Sequence, residues 1–284
     1  MNELNKYSTS KIINFAPTGT QTNRYNSFAP LTSSEIIEEV HQAYEIGITL
    51  THIHAREEDG YENSYKKEIY QKTIEGIRKY CPNLSICVSL SGRLFPEFEK
   101  RSEPLEIYPD MGSLTMSSLN FPKSASINEP DTILMLIEKM KQYGVKPEIE
   151  CFDSGMLNYT NYLINKGVLT GINYVNIILG NIYNAQSDLS TISSIIANKP
   201  DNSLMCFGGI GKEQLKSNIV GLLYSDGIRI GLEDNLYYEN KQKTTNIDLL
   251  KRIHRIIEEI GCDILSPKSF QEMGFRNEKI NNIR

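Results

Sequence analysis

Residues 33–55, SSEIIEEVHQAYEIGITLTHIHA, contain one predicted helix followed at once by one predicted strand. The first part follows a Thr/Ser cap, repeats apolar residues at helical spacing and stops at Gly47. The second part, ITLTHIHA (48–55), is a short run rich in β-branched residues, which is typical of a strand. Helices that lead directly into strands are typical of proteins in which helices connect the parallel strands of one sheet.

The same helix–strand unit recurs along the whole chain. Helical patterns include 64–80, 131–144 and 245–261, whereas Pro104 interrupts the pattern between 96 and 108. Eight such units predict a closed (β/α)₈ TIM barrel, with an open, doubly wound sheet as the alternative. The eight predicted strands are KIINFAP (11–17), ITLTHIHA (48–55), LSICVSLS (84–91), MGSLTMSS (111–118), KPEIECFD (146–153), YVNIILG (174–180), SLMCFGG (203–209) and GIRIGLED (227–234).

Length and composition fit a single globular domain. The chain has 284 residues, of which 39% are hydrophobic and 23% charged, and it contains no linker or low-complexity segment. We therefore expect one domain over residues 1–284. Its strands should run from about 11 to 234, followed by a closing helix at 245–261 and a short C-terminal tail.

Charge and cysteine content argue against several classes of protein. A net charge of −5 disfavours a nucleic-acid partner. No apolar run approaches the ~18 residues that a membrane helix needs, and the start MNELNKYSTSK lacks the apolar stretch of a signal peptide. The five cysteines are scattered without CxxC spacing, which indicates reduced thiols. We therefore expect a cytoplasmic enzyme or binding protein with no membrane partner.

Two of the four histidines lie one residue apart at the end of the second predicted strand. His52 and His54 share a face because side chains alternate along a strand, and the active site of a TIM barrel lies at the carboxyl ends of its strands. Two neutral imidazoles at this spacing can chelate Zn²⁺, Ni²⁺ or Fe²⁺, and ordinary hydrogen bonds to neighbours are the alternative. For His41 and His254, within predicted helices, we expect ion pairs or outer-face packing.

A third metal ligand is expected to be a carboxylate, since no further histidine is well placed. Glu233 lies at the carboxyl end of the eighth predicted strand, and closure of the barrel would leave only strand one between it and strand two. Two histidines and one glutamate leave positions open for a substrate, as in catalytic zinc sites. A solvated loop acid is the alternative, which Arg229 and Asp234 in the same apolar segment disfavour.

Other predicted strands also carry polar side chains. Glu148 and Glu150 share one face of strand five, and a buried carboxylate needs a partner, for which Arg229 is a candidate. Hydroxyls on two successive strands indicate a polar ligand cavity: Ser89 and Ser91 on strand three, and Ser113, Thr115 and Ser117 on strand four.

The segment FGGIGKEQL (207–215) follows the seventh strand and leads into a helix. Its glycines would leave backbone N–H groups free to hold an anion, and TIM barrels often bind phosphate after strands seven and eight. A simple tight turn is the alternative. The chain has no GxSxG, Walker A or EF-hand sequence, which argues against the corresponding esterase, nucleotide and calcium sites.

Five segments in this order resemble the β-keto acid cleavage enzymes: THIHARE, SLTMSSLNF, KPEIECFDSGM, GGIGKEQL and IRIGLEDNLYY. The resemblance runs from about residue 11 to 265, and the fold of that family is a TIM barrel. It implies a zinc-dependent, Claisen-type acyl exchange in which a β-keto acid and acetyl-CoA give acetoacetate and a new acyl-CoA. It also implies a homo-oligomer, since members of the family tend to form tetramers.

The resemblance further implies roles for single residues. His52, His54 and Glu233 match the zinc ligands, and the metal would polarise the substrate ketone. Asp234 would be the base that generates a carbon nucleophile, with Arg229 holding it or stabilising oxyanion charge. The remaining implied positions are Ser89 and Ser113 for the substrate carboxylate, Glu150 for substrate binding or catalysis, and Gly209 and Gly211 for a CoA phosphate.

Two positions depart from the family pattern. Where the aminohexanoate-cleaving member carries an acid after the first strand, this chain has Gln21 in TGTQT (18–22), so that a substrate ammonium would lose an attractive charge at this substrate-binding position. Arg93, in SLSGR (89–93), is also unusual. We expect Arg93 to bridge to Glu97, with recognition of an acidic substrate tail as the alternative.

Two other functions stay open on the sequence alone. The first is a metal-dependent aldolase or hydrolase on the same barrel that acts without CoA. The second is a non-catalytic ligand-binding barrel in which His52 and His54 are structural.

Overall fold

Eight parallel strands close into a barrel in the computed structural model, which describes residues 9–20, 25–239 and 241–279. Their order around the barrel follows the chain, and the first strand also pairs with the eighth, with Asn14 opposite Arg229. This closure confirms the predicted TIM barrel and excludes the open sheet. The strands are β1 (Ser10–Phe15), β2 (Leu50–Ile53), β3 (Ser85–Val88), β4 (Met111–Thr115), β5 (Lys146–Cys151), β6 (Asn173–Leu179), β7 (Ser203–Gly209) and β8 (Gly227–Ile230).

Helices connect these strands, as the alternating pattern predicts. None of them, within the part of the chain that the structure describes, is long and apolar enough to cross a membrane. They are α1 (Ser33–Ile46), α2 (Lys67–Tyr80), α3 (Phe98–Ser102), α4 (Pro130–Tyr143), α5 (Ser154–Asn165), α6 (Leu189–Ala197), α7 (Glu213–Tyr224), α8 (Asn246–Glu259) and α9 (Pro267–Phe270).

Local sequence sets the ends of α1. The Thr32 hydroxyl accepts a hydrogen bond from the Glu35 backbone N–H at 3.3 Å, and the Glu35 carboxylate accepts one from the Thr32 N–H at 2.9 Å. This reciprocal capping box satisfies N–H groups that the first helical turn leaves without partners. The helix stops at Gly47, whose φ of +116° a side chain would rarely adopt.

The helix after β3 is interrupted near Pro104, as the sequence predicts. The short helix α3 passes into a 3₁₀ helix, Glu103–Ile107, with Pro104 near its start. Proline has no N–H to donate and its ring crowds the preceding turn, so a long α-helix does not form here.

Inside the barrel, the buried side chains change from apolar to polar along the direction of the strands. Leu50, Met111 and Tyr174 belong to an apolar cluster near the strand starts. Further along the strands lies a polar layer, in which hydrogen bonds across the barrel join Glu148 to Asn14, His52 and Asn176. Arg229 belongs to the same layer, with its Nη1 3.6 Å from Oε1 of Glu148. The polar side chains thus lie toward the carboxyl ends of the strands, and the apolar cluster lies at the opposite end of the barrel.

The C-terminal segment closes this apolar end. Phe270 and Phe275 are buried, their rings stack with centroids 4.4 Å apart, and both meet the ring of Tyr174 edge-on. Leu265 belongs to the same cluster. The segment that follows the closing helix thus packs against the barrel, and its buried apolar side chains complete the core at this end.

Candidate active site

The carboxyl ends of the strands surround a cavity of about 440 Å³. Apolar side chains, among them Phe121, Phe152 and Ile178, form part of its wall. Most of the site residues predicted from the sequence line it as well, namely His52, His54, Ser89, Glu150, Arg229, Glu233 and Asp234. Residues that are as much as 182 positions apart in the chain, His52 and Asp234, thus meet at the face where TIM barrels bind substrates.

Three of the lining residues converge on one point. Nε2 of His54 lies 3.2 Å from Oε1 of Glu233, and Nε2 of His52 lies 3.9 Å from the same oxygen. One ligand atom from each residue lies within 4.8 Å of the others. Donors around a tetrahedral ion with bonds of about 2.0–2.1 Å are roughly 3.4 Å apart, so the distances from Glu233 to the two histidines are near the spacing that a zinc-sized cation requires.

The state of His52 also fits a metal ligand. Its Nε2 is buried and has no hydrogen-bond partner among residues 9–20, 25–239 and 241–279. Its Nδ1 lies 2.7 Å from Oε2 of the buried Glu148, which sequence reasoning treated only as a partner of Arg229. A carboxylate behind a histidine fixes the ring and directs the other nitrogen toward the metal. Glu148 is therefore a positioning residue that strand alternation alone does not identify.

Glu148 is itself held by several partners. Its Oε1 accepts hydrogen bonds from the amides of Asn14, at 2.5 Å, and Asn176, and it lies 3.6 Å from Nη1 of Arg229. Burial alone would raise the pKa of Glu148, but His52 and Arg229 outweigh it and lower the pKa to about 2.

For His52 the effects are reversed. Burial alone would lower its pKa, but the carboxylates of Glu148 and Glu233 raise the pKa to about 9. A bound cation would displace a proton from that ring, because metals bind neutral imidazole.

Arg229 links three acids of the cavity. Its Nε lies 2.9 Å from Asp234, its Nη1 lies 3.1 Å from Glu150 and its Nη2 lies 2.7 Å from Glu233. Burial would lower the pKa of Arg229, but these carboxylates raise it well above its usual value. Gly208 on the neighbouring strand makes room, since a Cβ there would lie 3.2 Å from Cβ of Arg229. The predicted pairing of Arg229 with the acids of β5 is confirmed.

The acids of the site outnumber its positively charged groups, and a bound cation would compensate the excess negative charge. Four buried or nearly buried acids, Glu148, Glu150, Glu233 and Asp234, face one guanidinium and His52. Buried carboxylates are costly without compensating positive charge. For Asp234, burial is the main cause of a raised pKa, Arg229 opposes it and Glu233 adds to it. The excess of acids and the spacing of the donors therefore point to the same place for a metal.

A second set of potential ligands lies deeper in the barrel. His52, Cys87 and Glu148 also bring ligand atoms within 4.8 Å of one another. Burial raises the pKa of Cys87 well above its usual value, however, and a metal would need the thiolate. Neither Cys87 nor Glu148 lines the cavity, so the set with Glu233 is the one a substrate can reach.

Gly19 shapes the position of Glu233. Its φ is +57°, and a Cβ at this residue would lie 2.3 Å from Cγ of Glu233. The backbone of the loop after β1 thus packs directly against the Glu233 side chain. The backbone N–H of Glu233 also donates to the Ala16 carbonyl at 3.2 Å. The predicted substrate contact that comes two residues later, Gln21, lies outside the described residues.

The two predicted serines occupy different places. Ser89 lines the cavity, whereas Ser113 is buried and its hydroxyl accepts a hydrogen bond from the Leu90 N–H at 2.9 Å. Thr115, two residues further along β4, lines the cavity and donates to Glu150 at 2.9 Å. Thr115 was noted in the sequence only as one of several hydroxyls, and the structure gives it the contact with a cavity acid.

The glycine-rich turn after β7 differs from its prediction. The N–H of Ile210 donates to the Leu179 carbonyl, and the N–H of Gly211 donates to the Asp234 carbonyl at 2.7 Å. Gly209 permits close packing of α7, since a Cβ there would lie 2.6 Å from the Glu213 carbonyl oxygen. The N–H groups of Ile210 and Gly211 are therefore not free to hold an anion, because backbone carbonyls already accept them. Contact of Gly209 and Gly211 with CoA stays a prediction.

The other two histidines and Arg56 have structural partners. His41 stacks on Tyr80 and lies 3.9 Å from Glu45, and His254 forms a hydrogen bond with the Gly47 carbonyl at 2.9 Å, as predicted for residues outside the barrel.

Arg56 is buried and donates to the carbonyls of Gly19, at 2.9 Å, and Gly60, at 3.3 Å. Arg56 thus joins the loop after β2 to the loop after β1.

The expected bridge from Arg93 to Glu97 is wrong. Glu97 pairs with Lys100 at 2.8 Å, one helical turn away. Arg93 instead points over the ring of Phe121, with its guanidinium carbon 4.2 Å from the ring centroid, and it lines the cavity.

The comparison with known families assigns the chain to a family. The family described as beta-keto acid cleavage enzyme matches residues 11–274 of the chain. The chain belongs to this family. The match begins at the second residue of β1, extends beyond β8 and includes every predicted site residue, and it confirms the resemblance carried by the five motifs. The protein is therefore an enzyme.

Two relatives support the membership. A 3-keto-5-aminohexanoate cleavage enzyme of Fusobacterium nucleatum is 31% identical over 255 residues, which cover 89% of this chain and 92% of the relative. A 3-oxoadipate:acetyl-CoA acetyltransferase of Cupriavidus necator is 32% identical over 256 residues, which cover 88% and 89%. The two relatives differ in the charge of the substrate that their names give, and they are about equally similar to this chain.

A solved structure supports the fold. The apo structure of ObcA superposes with a TM-score of 0.73 at 19% sequence identity, covering 88% of this chain and 66% of that chain. At this identity the similarity concerns the barrel and its connections.

Proposed function

We propose that this β-keto acid cleavage enzyme transfers an acyl group between a β-keto acid and acetyl-CoA, giving acetoacetate and a new acyl-CoA. The observation that carries the proposal is the convergence of His52, His54 and Glu233 in a cavity where Arg229 holds Asp234. Two relatives named for acetyl-CoA-dependent transfer, from Cupriavidus necator and Rhizobium meliloti, support acetyl-CoA as the co-substrate.

We propose that His52, His54 and Glu233 bind a divalent cation, with zinc as the expected ion. Nitrogen and oxygen donors at these distances suit zinc, and three protein ligands leave room for a substrate. When bound, such a cation supplies Lewis-acid polarisation of the substrate ketone. Glu148 orients His52, and Arg229 orients Glu233, so the ligand set is held from behind.

In this proposal Asp234 is the general base. It lines the cavity, and Arg229 fixes its carboxylate at 2.9 Å. Asp234 takes a proton from the carbon between the carboxylate and the ketone of the β-keto acid, and that carbon attacks the thioester carbonyl of acetyl-CoA. CoA thiolate leaves and then attacks the original ketone carbon. The carbon–carbon bond breaks, and the carbanion of acetoacetate takes the proton back from Asp234.

The remaining predicted residues would position the substrate. Ser89 lines the cavity and can donate its hydroxyl to the substrate carboxylate. Ser113 would act from behind, because its hydroxyl accepts the N–H of Leu90, the residue next to Ser89. Glu150 is held by both Arg229 and Thr115, so it would maintain the orientation of the guanidinium. We also propose that Gln21 contacts the substrate and that the turn with Gly209 and Gly211 contacts CoA.

The test is a panel of β-keto acids incubated with acetyl-CoA, with acyl-CoA products measured by mass spectrometry. We expect acetoacetate and one new acyl-CoA in equal amounts, and neither product when acetyl-CoA is omitted. His52→Ala should lose bound metal and activity together. His41→Ala is the matched control, since His41 lies on α1 outside the barrel. Turnover of the keto acid without a thioester would instead establish an aldolase or hydrolase.

The resemblance also leads us to propose a homotetramer that works in the cytoplasm. Size-exclusion chromatography with light scattering tests the oligomeric state, and an elution at the mass of one 32.3 kDa chain would contradict it.

A further inference from the structure

Charge is divided within the active-site cavity. Near the metal-ligand set the charged lining residues are mostly acids, and Arg229 is already bound to three of them. Further out, the charged residues among those described in the lining are two cations, Arg93 and Lys123. Lys123 is exposed and is held by Tyr25, with its Nζ 3.1 Å from the phenol oxygen. Arg93 is only partly exposed.

Contacts on three sides hold the guanidinium of Arg93. Its carbon lies 4.2 Å from the centroid of the Phe121 ring, its Nε donates to the Ser124 hydroxyl at 3.2 Å and its Nη1 lies 3.5 Å from the Thr20 hydroxyl. Stacking on an aromatic face leaves the edge of a guanidinium available for a planar acceptor. Nη2 donates to no residue among those that the structure describes, so within that part of the chain this edge has N–H groups available for a ligand.

No carboxylate among the described residues pairs with Arg93. Glu97, four positions away, is taken by Lys100, and the sequence of residues 21–24, QTNR, contains no acid. Burial lowers the pKa of Arg93, with the charge of Glu233 opposing the shift. A partly buried cation without a counter-ion loses hydration and gains no ion pair in return.

We propose that Arg93 binds a second carboxylate at the far end of the substrate, so that the enzyme acts on β-keto dicarboxylic acids. This inference rests on the proposed function. One end of the substrate, the carboxylate and ketone, would lie near His52 and His54, and the distal carboxylate would accept two parallel hydrogen bonds from Arg93. Such bidentate pairs are the geometry for which arginine is suited. An ammonium tail would meet like charge at the same place.

A phosphate of CoA offers the same anionic chemistry to Arg93. The two sources differ in what a substitution changes. If Arg93 binds the keto acid, its removal alters selectivity among keto acids and leaves the KM for acetyl-CoA unchanged. If it binds CoA, its removal raises that KM equally with every keto acid.

The experiment compares three β-keto acids of equal chain length that end in a carboxylate, a methyl group or an ammonium. For each, kcat/KM is measured with the wild type, Arg93→Gln and Arg93→Lys, and binding of each acid is measured separately by calorimetry. Calorimetry reports on tail recognition even when no acid is turned over, so failure of the proposed function can be told apart from failure of this inference.

We expect the wild type to prefer the carboxylate tail by about 30-fold or more in kcat/KM and in affinity, the range of a desolvated charged pair. Arg93→Gln should remove this preference while activity on the methyl-terminated acid stays within about threefold, which shows that the variant is folded. Arg93→Lys should restore part of it. Lys123→Gln, the control for a cation that is exposed at the rim, should leave selectivity within about threefold.

Three results would overturn the inference. The first is equal binding of the carboxylate and methyl tails by the wild type. The second is a preference that Arg93→Gln leaves intact or that Lys123→Gln removes to the same extent. The third is a KM for acetyl-CoA that rises in Arg93→Gln with every keto acid, which would assign Arg93 to CoA.

Discussion

Nδ1 of His52 lies 2.7 Å from Oε2 of Glu148, and both side chains are buried inside the barrel. In the neutral ring this contact places the proton on Nδ1 and leaves the lone pair of Nε2 directed toward the cavity. His52 belongs to β2 and Glu148 to β5, so the contact crosses the barrel rather than joining neighbouring strands. The orientation of one proposed metal ligand is thus set from the opposite wall.

Glu148→Gln is expected to weaken metal binding without removing a ligand. The substitution keeps the size of the side chain but removes the charge that holds the His52 proton, and loss of such a partner typically lowers metal affinity by about 10–100-fold. Competition with a zinc chelator measures the affinity. Glu106→Gln is the control, because Glu106 pairs with Lys67 and Lys139 outside the barrel. Equal affinities of the wild type and Glu148→Gln would show that the contact does not act on the metal.

Gly19→Ala is expected to displace Glu233. A methyl group at this position would lie 2.3 Å from Cγ of Glu233, and the backbone φ of +57° adds strain. We expect metal affinity to fall at least tenfold. Gly167→Ala separates the two effects, since Gly167 also has a positive φ, +70°, with nothing within 4 Å of the added methyl. The control should lose only about 1 kcal/mol of stability and keep its metal affinity. Unchanged metal affinity in Gly19→Ala would mean that Glu233 is not held by this packing.

Much of the fold can be predicted from the sequence because the patterns that predict its helices and strands are local. The alternation of β-branched runs and helical patterns repeats eight times, and α1 ends where its capping residues and Gly47 predict. His52 and Glu233 could be paired from sequence for a related reason. Once closure of the barrel is assumed, residues at the carboxyl ends of nearby strands must face one cavity.

The features that sequence reasoning missed depend on distant partners. Glu148 shares its strand face with Glu150, and only the cross-barrel contact shows that one acid orients His52 while the other meets Arg229. The N–H of Gly211 is taken by the carbonyl of Asp234, a residue on the next connection. Neither contact leaves a periodic signal in the chain, since each depends on how separate strands and loops meet in space.

The buried aromatic cluster at the apolar end of the barrel is expected to contribute to the stability of the protein and not to the metal site. Phe270 is buried against Phe275 and Tyr174, and truncation of a buried phenylalanine typically costs about 3–5 kcal/mol. Phe270→Ala should lower the free energy of unfolding in urea by this amount. Phe28→Ala is the control, because Phe28 is 53% exposed. A loss below about 1 kcal/mol in Phe270→Ala would show that the C-terminal segment is not part of the core.

Removal of the metal is expected to destabilise the protein as well as to stop the reaction. Without a cation, Glu233, Asp234 and Glu150 repel one another around a single arginine. An ion present at about 100 times its dissociation constant stabilises the folded state by about 2.7 kcal/mol, which corresponds to a shift in Tm of about 4–5 °C for a chain of this size. Thermal unfolding with and without a chelator, followed by added zinc, measures the shift and its reversal. His52→Ala should already unfold at the lower temperature and should not respond to the chelator, whereas a chelator response equal to that of the wild type would place the stabilising ion elsewhere.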